Sequence, residues 1–285
     1  GRLDDQEDDE ARPHPPQVAR AHEQLAPLQR EPAVPPDEEG DDRRHDDERG
    51  EVGEVVLHRE AREILQSVAR DDISNEGFPF ATAKTIGIAG CPVQALRVTY
   101  VGELGWELHL PAEYAATVYN TIHEAGKDHG LRNAGYRAIE TLRLEKGYRA
   151  WASDIGPDHT PIEAGLGFAV NLRSNVDFRG RAAIEKQKQE GVRKIMTTFT
   201  TEPDVILSGR ETIYRNGERV GWLSSAGFGH TIQKSIGMGY VRSKEIIDKD
   251  YVLSGEYELE VATERVACSA HLAPLYDPGM KKVKC

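Results

Sequence analysis

No aromatic side chain precedes Phe78 and no lysine precedes Lys84 in this chain of 285 residues. Residues 1–60 carry 19 Asp or Glu against 8 Arg, a net charge of −11. The rest carries 29 acids and 28 bases, so nearly all of the formal charge of −12 sits in the first fifth. Runs such as DDQEDDE, RPHPPQ and AVPPDEEGDDRR lack the apolar surface that would offset the entropy of ordering them. Residues 1–58 are therefore expected to be a disordered, acidic, proline-rich tail. Its bias also suits a GC-rich non-coding stretch joined to a coding one. Acidity of this kind argues against nonspecific affinity for nucleic acid. Gly1 is not an initiator methionine, and the sequence reads as a fragment.

Other absences narrow the function classes. Cysteine is scarce: Cys91, Cys268 and Cys285 lie far apart, with no spacing that suits a metal site. A reduced compartment fits this usage better than a secreted one. No apolar run is long enough to span a bilayer, and no membrane partner is expected. There is no P-loop, and GFGHTIQKSIGMG has glycines without the spacing of a dinucleotide fingerprint. A flavin or nicotinamide site within the chain is not expected. Ser224 and Ser225 lack the context of a hydrolase nucleophile. The ten histidines are scattered, and no catalytic residue is assigned.

What is present is well patterned. EVVLHREAREILQSVA has helical apolar spacing. A short strand is expected at Thr85–Ala89. QALRVTY and WELHL are expected to pair as an antiparallel hairpin across VGELG. PAEYAATVYNTIHEAGKDHG reads as an amphipathic helix with Tyr114, Val118, Ile122 and Ala125 on one face. NAGYRAIETLRLEKGYRAW reads as another, capped by Asn133, lined inside by Ala138, Ile139 and Leu142, and ended by Gly147. Beyond about Gln187 short strand-like runs follow at close spacing. Among them YRNGERV carries Asn216-Gly217, a strong hairpin signal. This half predicts a small antiparallel barrel or sandwich. The fold class is α+β: residues 59–186 form one domain and residues 187–285 an all-β domain.

One residue stands out against this pattern. In RVTYVGELGWELHLP, alternation sends Trp106, Leu108 and Leu110 to one face and Glu107 with His109 to the other. Glu107 then faces either water or a ligand. Arg143 and Glu145 are either helix-surface charges or functional groups. Asp154 and Glu163 suit loop hydrogen bonding.

YVGELGWELHLP, the run from HGLRNAGYRAIETLRLEKGYRAW to EAGLGF, FRGRAAIEKQK and KSIGMGYV together resemble a known family. It is the aminomethyltransferase-type, folate-binding half of the mitochondrial sarcosine and dimethylglycine dehydrogenases. That half is similar in turn to the T-protein of the glycine cleavage system. ELGWELH and the LRLEKGYRAW run look most like the sarcosine branch. The resemblance covers roughly Arg62 to Lys284. It implies an N-terminally incomplete folate-binding domain followed by a β-barrel domain, tetrahydrofolate as ligand, and the mitochondrial matrix as location. It implies FAD only in a part of the parent protein not present here, together with an electron-transfer flavoprotein as the parent's partner. By resemblance, Glu107 reaches the pterin, Tyr100 lines its pocket, and Arg143 and Trp151 are further cofactor-binding candidates. The T-protein's helix arginine is replaced here by Ile139, and the family's catalytic aspartate lies upstream of the matching region. Two functions follow from the resemblance. One is capture of the one-carbon unit released by sarcosine demethylation, as methylenetetrahydrofolate. The other is a non-catalytic product, either a relative of the regulatory subunit of pyruvate dehydrogenase phosphatase or a non-functional fragment.

Overall fold

The computed structural model describes residues 57–285, with side chains from Glu60 onward. The expected tail lies outside the described residues except for its last two positions. Leu57 and His58 instead open the first helix, α1 (Leu57–Val68). Apolar residues at helical spacing bury Leu65 and, just past the helix, Ala69 in one core with a small sheet, and Ile64 is buried too.

That sheet has three antiparallel strands in the order β1 (Ala83–Ile88), β2 (Cys91–Leu96) and β3 (Glu107–His109). β1 and β2 form a tight hairpin across Ala89 and Gly90, which both have positive φ. The β2–β3 pairing was expected, and it runs Gln94↔His109 to Leu96↔Glu107. Its first strand is shorter than QALRVTY suggests. The amide of Val98 turns back to the carbonyl of Leu96, and Thr99 Oγ1 accepts the amides of Val101 and Gly102. Tyr100 therefore stands in a turn, not on a strand. Gly102 holds φ +84°, and a Cβ there would meet Lys146 Cδ at 2.8 Å, so this turn needs glycine twice over.

Helix α2 (Ala112–Ala125) covers the sheet with buried Val118, flanked by Tyr114 and Ile122. Helix α3 (Tyr136–Glu145) differs from expectation. Gly135, not Asn133, occupies its N-cap position, and Asn133 instead donates to the Tyr119 hydroxyl at 2.6 Å. Its deepest stripe is not Ala138, Ile139 and Leu142, which are half-buried. It is the consecutive run Arg143, Leu144, Glu145 and Lys146 at the C-terminal end, each at most 1 % exposed. Gly147, with φ +68°, ends the helix as expected.

After the irregular segment 146–180 and helix α4 (Arg181–Glu190) comes the all-β half. Six strands close into a barrel in the order β4 (Val192–Thr201), β7 (Lys234–Ile247), β6 (Glu218–Gly229), β5 (Thr212–Arg215), β8 (Tyr257–Val261) and β9 (Glu264–His271). Closure removes the sheet edges, which decides between barrel and sandwich. Phe199, Ile213, Leu223, Val241 and Leu259 fill its interior. Short helices α5 (Lys249–Leu253) and α6 (Lys281–Lys284) complete the chain. A third core joins the halves, where Leu144 of α3 packs with Met196, Ile236, Met238 and Tyr240 of the barrel.

Candidate functional site

The strand argument for Glu107 holds geometrically. Trp106, Leu108 and Leu110 pack on the first core, while Glu107 and His109 are exposed on the opposite face. Among the described residues Glu107 has one close side-chain neighbour, His109 Nε2, 3.3 Å from its Oε2. Both groups are more than half exposed, so the pair is screened by water and leaves the carboxylate free to bind another donor.

Tyr100 presents a partly exposed ring. It stacks on Tyr148, with ring centroids 6.1 Å apart and an 11° interplanar angle, and donates its hydroxyl to the Arg149 carbonyl at 3.2 Å. Burial raises the Tyr100 pKa, and the nearby Arg143 charge opposes this. Trp151, three residues beyond Tyr148, is 71 % exposed. The structure thus ties Tyr100 to the segment 148–151 that carries Trp151.

Arg143 does not fit the role of a direct ligand contact. It is fully buried, and all five of its N–H groups have protein acceptors. Nε and Nη2 donate to Glu140 Oε1, and Nη2 also to Ser225 Oγ at 2.7 Å. Nη1 donates to Asp154 Oδ2 at 2.6 Å and to the Tyr148 carbonyl at 3.1 Å. Asp154 is equally buried and also accepts the amide of Ala150 and the hydroxyl of Ser224. Arg143 therefore fastens α3 and the Tyr148 segment to barrel strand β6, behind the open face.

Its neighbours continue this seam. Glu145 Oε1 accepts the amides of Thr231 and Ile232 in the β6–β7 turn at 2.7 and 3.0 Å. Lys146 Nζ meets Asp277 Oδ2 at 3.0 Å, and Asp277 accepts the amides of Lys281 and Lys282 at the start of α6. Three charges in LRLEK are structural anchors that hydrophobic periodicity could not reveal. Glu163 also takes a loop role, exchanging hydrogen bonds with Thr160.

Periodicity also missed Glu140. It sits on α3 beside Arg143, a quarter exposed. The α+β half thus offers an exposed carboxylate on β3, a second on α3 fixed by Arg143, and the exposed rings of Tyr100 and Trp151. Groups of these kinds suit a flat ring that carries N–H donors. Among the described residues, no group of three or more His, Cys, Asp or Glu is placed to hold a metal. No helix there is long and apolar enough to cross a membrane.

Comparison with known proteins agrees with this architecture. Residues 59–174 match the GCVT N-terminal domain and residues 193–277 the glycine cleavage T-protein C-terminal barrel domain. The chain belongs to the family of aminomethyltransferase-type proteins built from these two domains. Within that family it is 47 % identical over 226 residues to mitochondrial sarcosine dehydrogenase of Homo sapiens, across 79 % of this chain and 25 % of that protein. It is also 33 % identical over 229 residues to the mitochondrial pyruvate dehydrogenase phosphatase regulatory subunit of Mus musculus, across 75 % of this chain and 26 % of that one. Among solved structures it resembles the glycine cleavage system aminomethyltransferase T from Bartonella henselae. The TM-score is 0.60 and the identity 27 %, over 72 % of this chain and 54 % of that one. The chain spans about a quarter of the length of the curated relatives it matches.

Proposed function

We propose that this chain is the tetrahydrofolate-binding portion of a mitochondrial protein like sarcosine dehydrogenase. In it, Glu107 grips the pterin and Tyr100 and Trp151 flank the ring. The observation that carries this reading is the placement of Glu107. A carboxylate on a strand whose other face is core, exposed and met among the described residues by His109 alone, is available to a ligand. The 2-amino group and adjacent ring N–H of a pterin form a paired donor edge that one carboxylate accepts as a fork. Arg143 takes part in this reading as a positioning residue, since its donors are spent inside the protein. The parent's role would be capture of the carbon unit from sarcosine as methylenetetrahydrofolate, with flavin chemistry supplied outside the described residues.

The test is titration calorimetry of the chain with tetrahydrofolate. Glu107→Gln keeps the shape but sets a donor amide against the ring's own donors. It should cost about 2–3 kcal/mol, roughly 30- to 150-fold in affinity. If the Gln variant binds like wild type, Glu107 is a solvated strand residue. Absence of folate binding by wild type would favour the second reading, a non-catalytic relative, which the similarity to the phosphatase regulatory subunit supports.

A further inference from the structure

The folate reading uses one carboxylate, yet a second one borders its aromatic wall. Glu140 lies on α3 with a side chain 25 % exposed. Its Oε1 accepts from both Nε and Nη2 of Arg143. That guanidinium cannot swing, because Asp154, Ser225 and the Tyr148 carbonyl hold its remaining N–H groups. The Glu140 head is therefore fixed in orientation. Its other oxygen, Oε2, has no protein partner among the described residues, and it is not sealed from solvent.

The surroundings connect this oxygen to the proposed site. Tyr148, whose carbonyl meets Arg143, is the residue whose ring stacks on Tyr100. The Glu140 charge is also felt at the Tyr100 hydroxyl, where it raises the pKa against the opposing effect of Arg143. Glu140, in the middle of α3, is thus linked to the Tyr100–Tyr148 ring pair through Arg143, which the barrel holds at Ser225.

The chemistry asks for a second acceptor. A reduced pteridine carries N–H donors on both rings: the 2-amino group and N3 on one, N5 and N8 on the other. The oxidised pteridine lacks the hydrogens at N5 and N8. One carboxylate serves the first set, and a second, pre-oriented one can read the set that exists only in the reduced form. A group already held in place loses little freedom on binding, so its hydrogen bond counts nearly in full.

We propose that Glu140 is a second ligand-binding carboxylate, its free Oε2 accepting an N–H of the reduced ring and so selecting tetrahydrofolate over oxidised folate. This rests on the folate reading above. Glu140→Gln isolates the idea, since its amide oxygen can still accept from Arg143 while the free acceptor becomes a donor. Calorimetric titration of the chain with tetrahydrofolate and with folic acid is the measurement. Glu140→Gln should weaken tetrahydrofolate about tenfold or more and change folic acid by less than about threefold. Glu107→Gln should weaken both. Ser225→Ala removes another Arg143 partner and leaves the Glu140 carboxylate in place, so it reports any loss due to a loosened seam. Equal losses in Ser225→Ala and Glu140→Gln would overturn the assignment, as would equal losses for both ligands in Glu140→Gln. Unchanged affinity in Glu140→Gln with binding intact in wild type would sink Glu140 alone. No binding of either ligand by wild type would sink the folate reading and this proposal with it.

Discussion

The two halves of the molecule solve the same problem differently. The barrel closes its sheet on itself, so every strand has two neighbours, whereas full burial of core residues is reached in both halves, at Phe199 and Leu223 in one and at Ile88 and Val93 in the other. The α+β half has an open sheet of three strands, with β1 and β3 as edges. It also leaves Tyr136, Trp151 and Phe168 more than 70 % exposed. The comparison teaches where precision comes from. The candidate residues lie on the open half, on an edge strand, in a turn and beyond α3, and the buried charged run of α3 ties that half to the closed one. An irregular surface is held in register by its attachment rather than by its own sheet.

The sharpest way to break that arrangement is to cut the seam. Asp154→Ala leaves Arg143 buried with one carboxylate and strands the Ala150 amide, while Ser224 keeps the Met238 carbonyl as an acceptor. Removing one partner of a buried pair should cost about 3–5 kcal/mol. Chemical denaturation should show this as a lower midpoint. Glu107→Gln, on the open face, should leave the midpoint nearly unmoved. Similar midpoints for the two variants would mean that the seam does not join the halves.

Core truncations compare the halves directly. Phe199 is fully buried in the barrel and packs against Tyr257, so Phe199→Ala should cost about 3–5 kcal/mol. Trp106 is only half-buried beside Phe78, so Trp106→Ala should fall at the lower end of that range, about 3 kcal/mol. Thermal melts of both variants test the ranking. A larger loss from Trp106 would show that the open sheet, not the barrel, limits stability.

Acid should strike at the loop over the barrel. The His159 ring stacks on Tyr240 at 4.6 Å, with Lys194 and Arg242 nearby and Glu163 and Asp158 opposing them. Burial, then the two cations, push its pKa below 6.5. His271 in β9 is lowered by burial and by Lys234. Both bind fewer protons folded than unfolded, so stability is full above about 6.5 and falls as pH drops below it. Asp277 adds a separate, lower window. Burial alone would raise its pKa, but Lys146 and the α6 amides hold it below 3.8, and its contribution is lost only beneath that value. Melting temperature should therefore decline from pH 7.5 to 5.5. His159→Phe, which keeps the stack without a titrating group, should make the decline shallower. An unchanged slope in that variant would place the acid sensitivity elsewhere.

The sequence made the barrel legible because its strands are short, apolar and set off by turn residues. The T-protein-like architecture was legible through motifs in LRLEK and GELGWE. The roles within those motifs were not, since a buried Arg143 or Lys146 looks like surface charge until its partner, up to 131 residues away, is known. Helix α4 escaped because RAAIEKQKQE has too few apolar residues to show a period. Glu140 escaped because what distinguishes it is an oxygen left over after Arg143 has been satisfied, which only coordinates reveal.

Two hairpins give the finest version of the comparison. β5 and β6 turn through Asn216-Gly217, with φ of 50° and 81°. β1 and β2 turn through Ala89-Gly90, with φ of 50° and 80°. The backbone is nearly the same, yet only the first was readable, because alanine is a poor resident of the left-handed region while asparagine tolerates it. Asn216 is further secured, its Oδ1 accepting the Glu256 amide at 2.9 Å. Asn216→Ala should therefore cost about 1–2 kcal/mol, from backbone strain plus the lost acceptor. At Ala89, which is exposed, the swap runs the other way, and Ala89→Asn should stabilise the chain by about 0.5–1 kcal/mol. Urea midpoints measured side by side give the answer. If Ala89→Asn fails to raise the midpoint, the open half unfolds before its hairpin matters, and the barrel alone sets the transition.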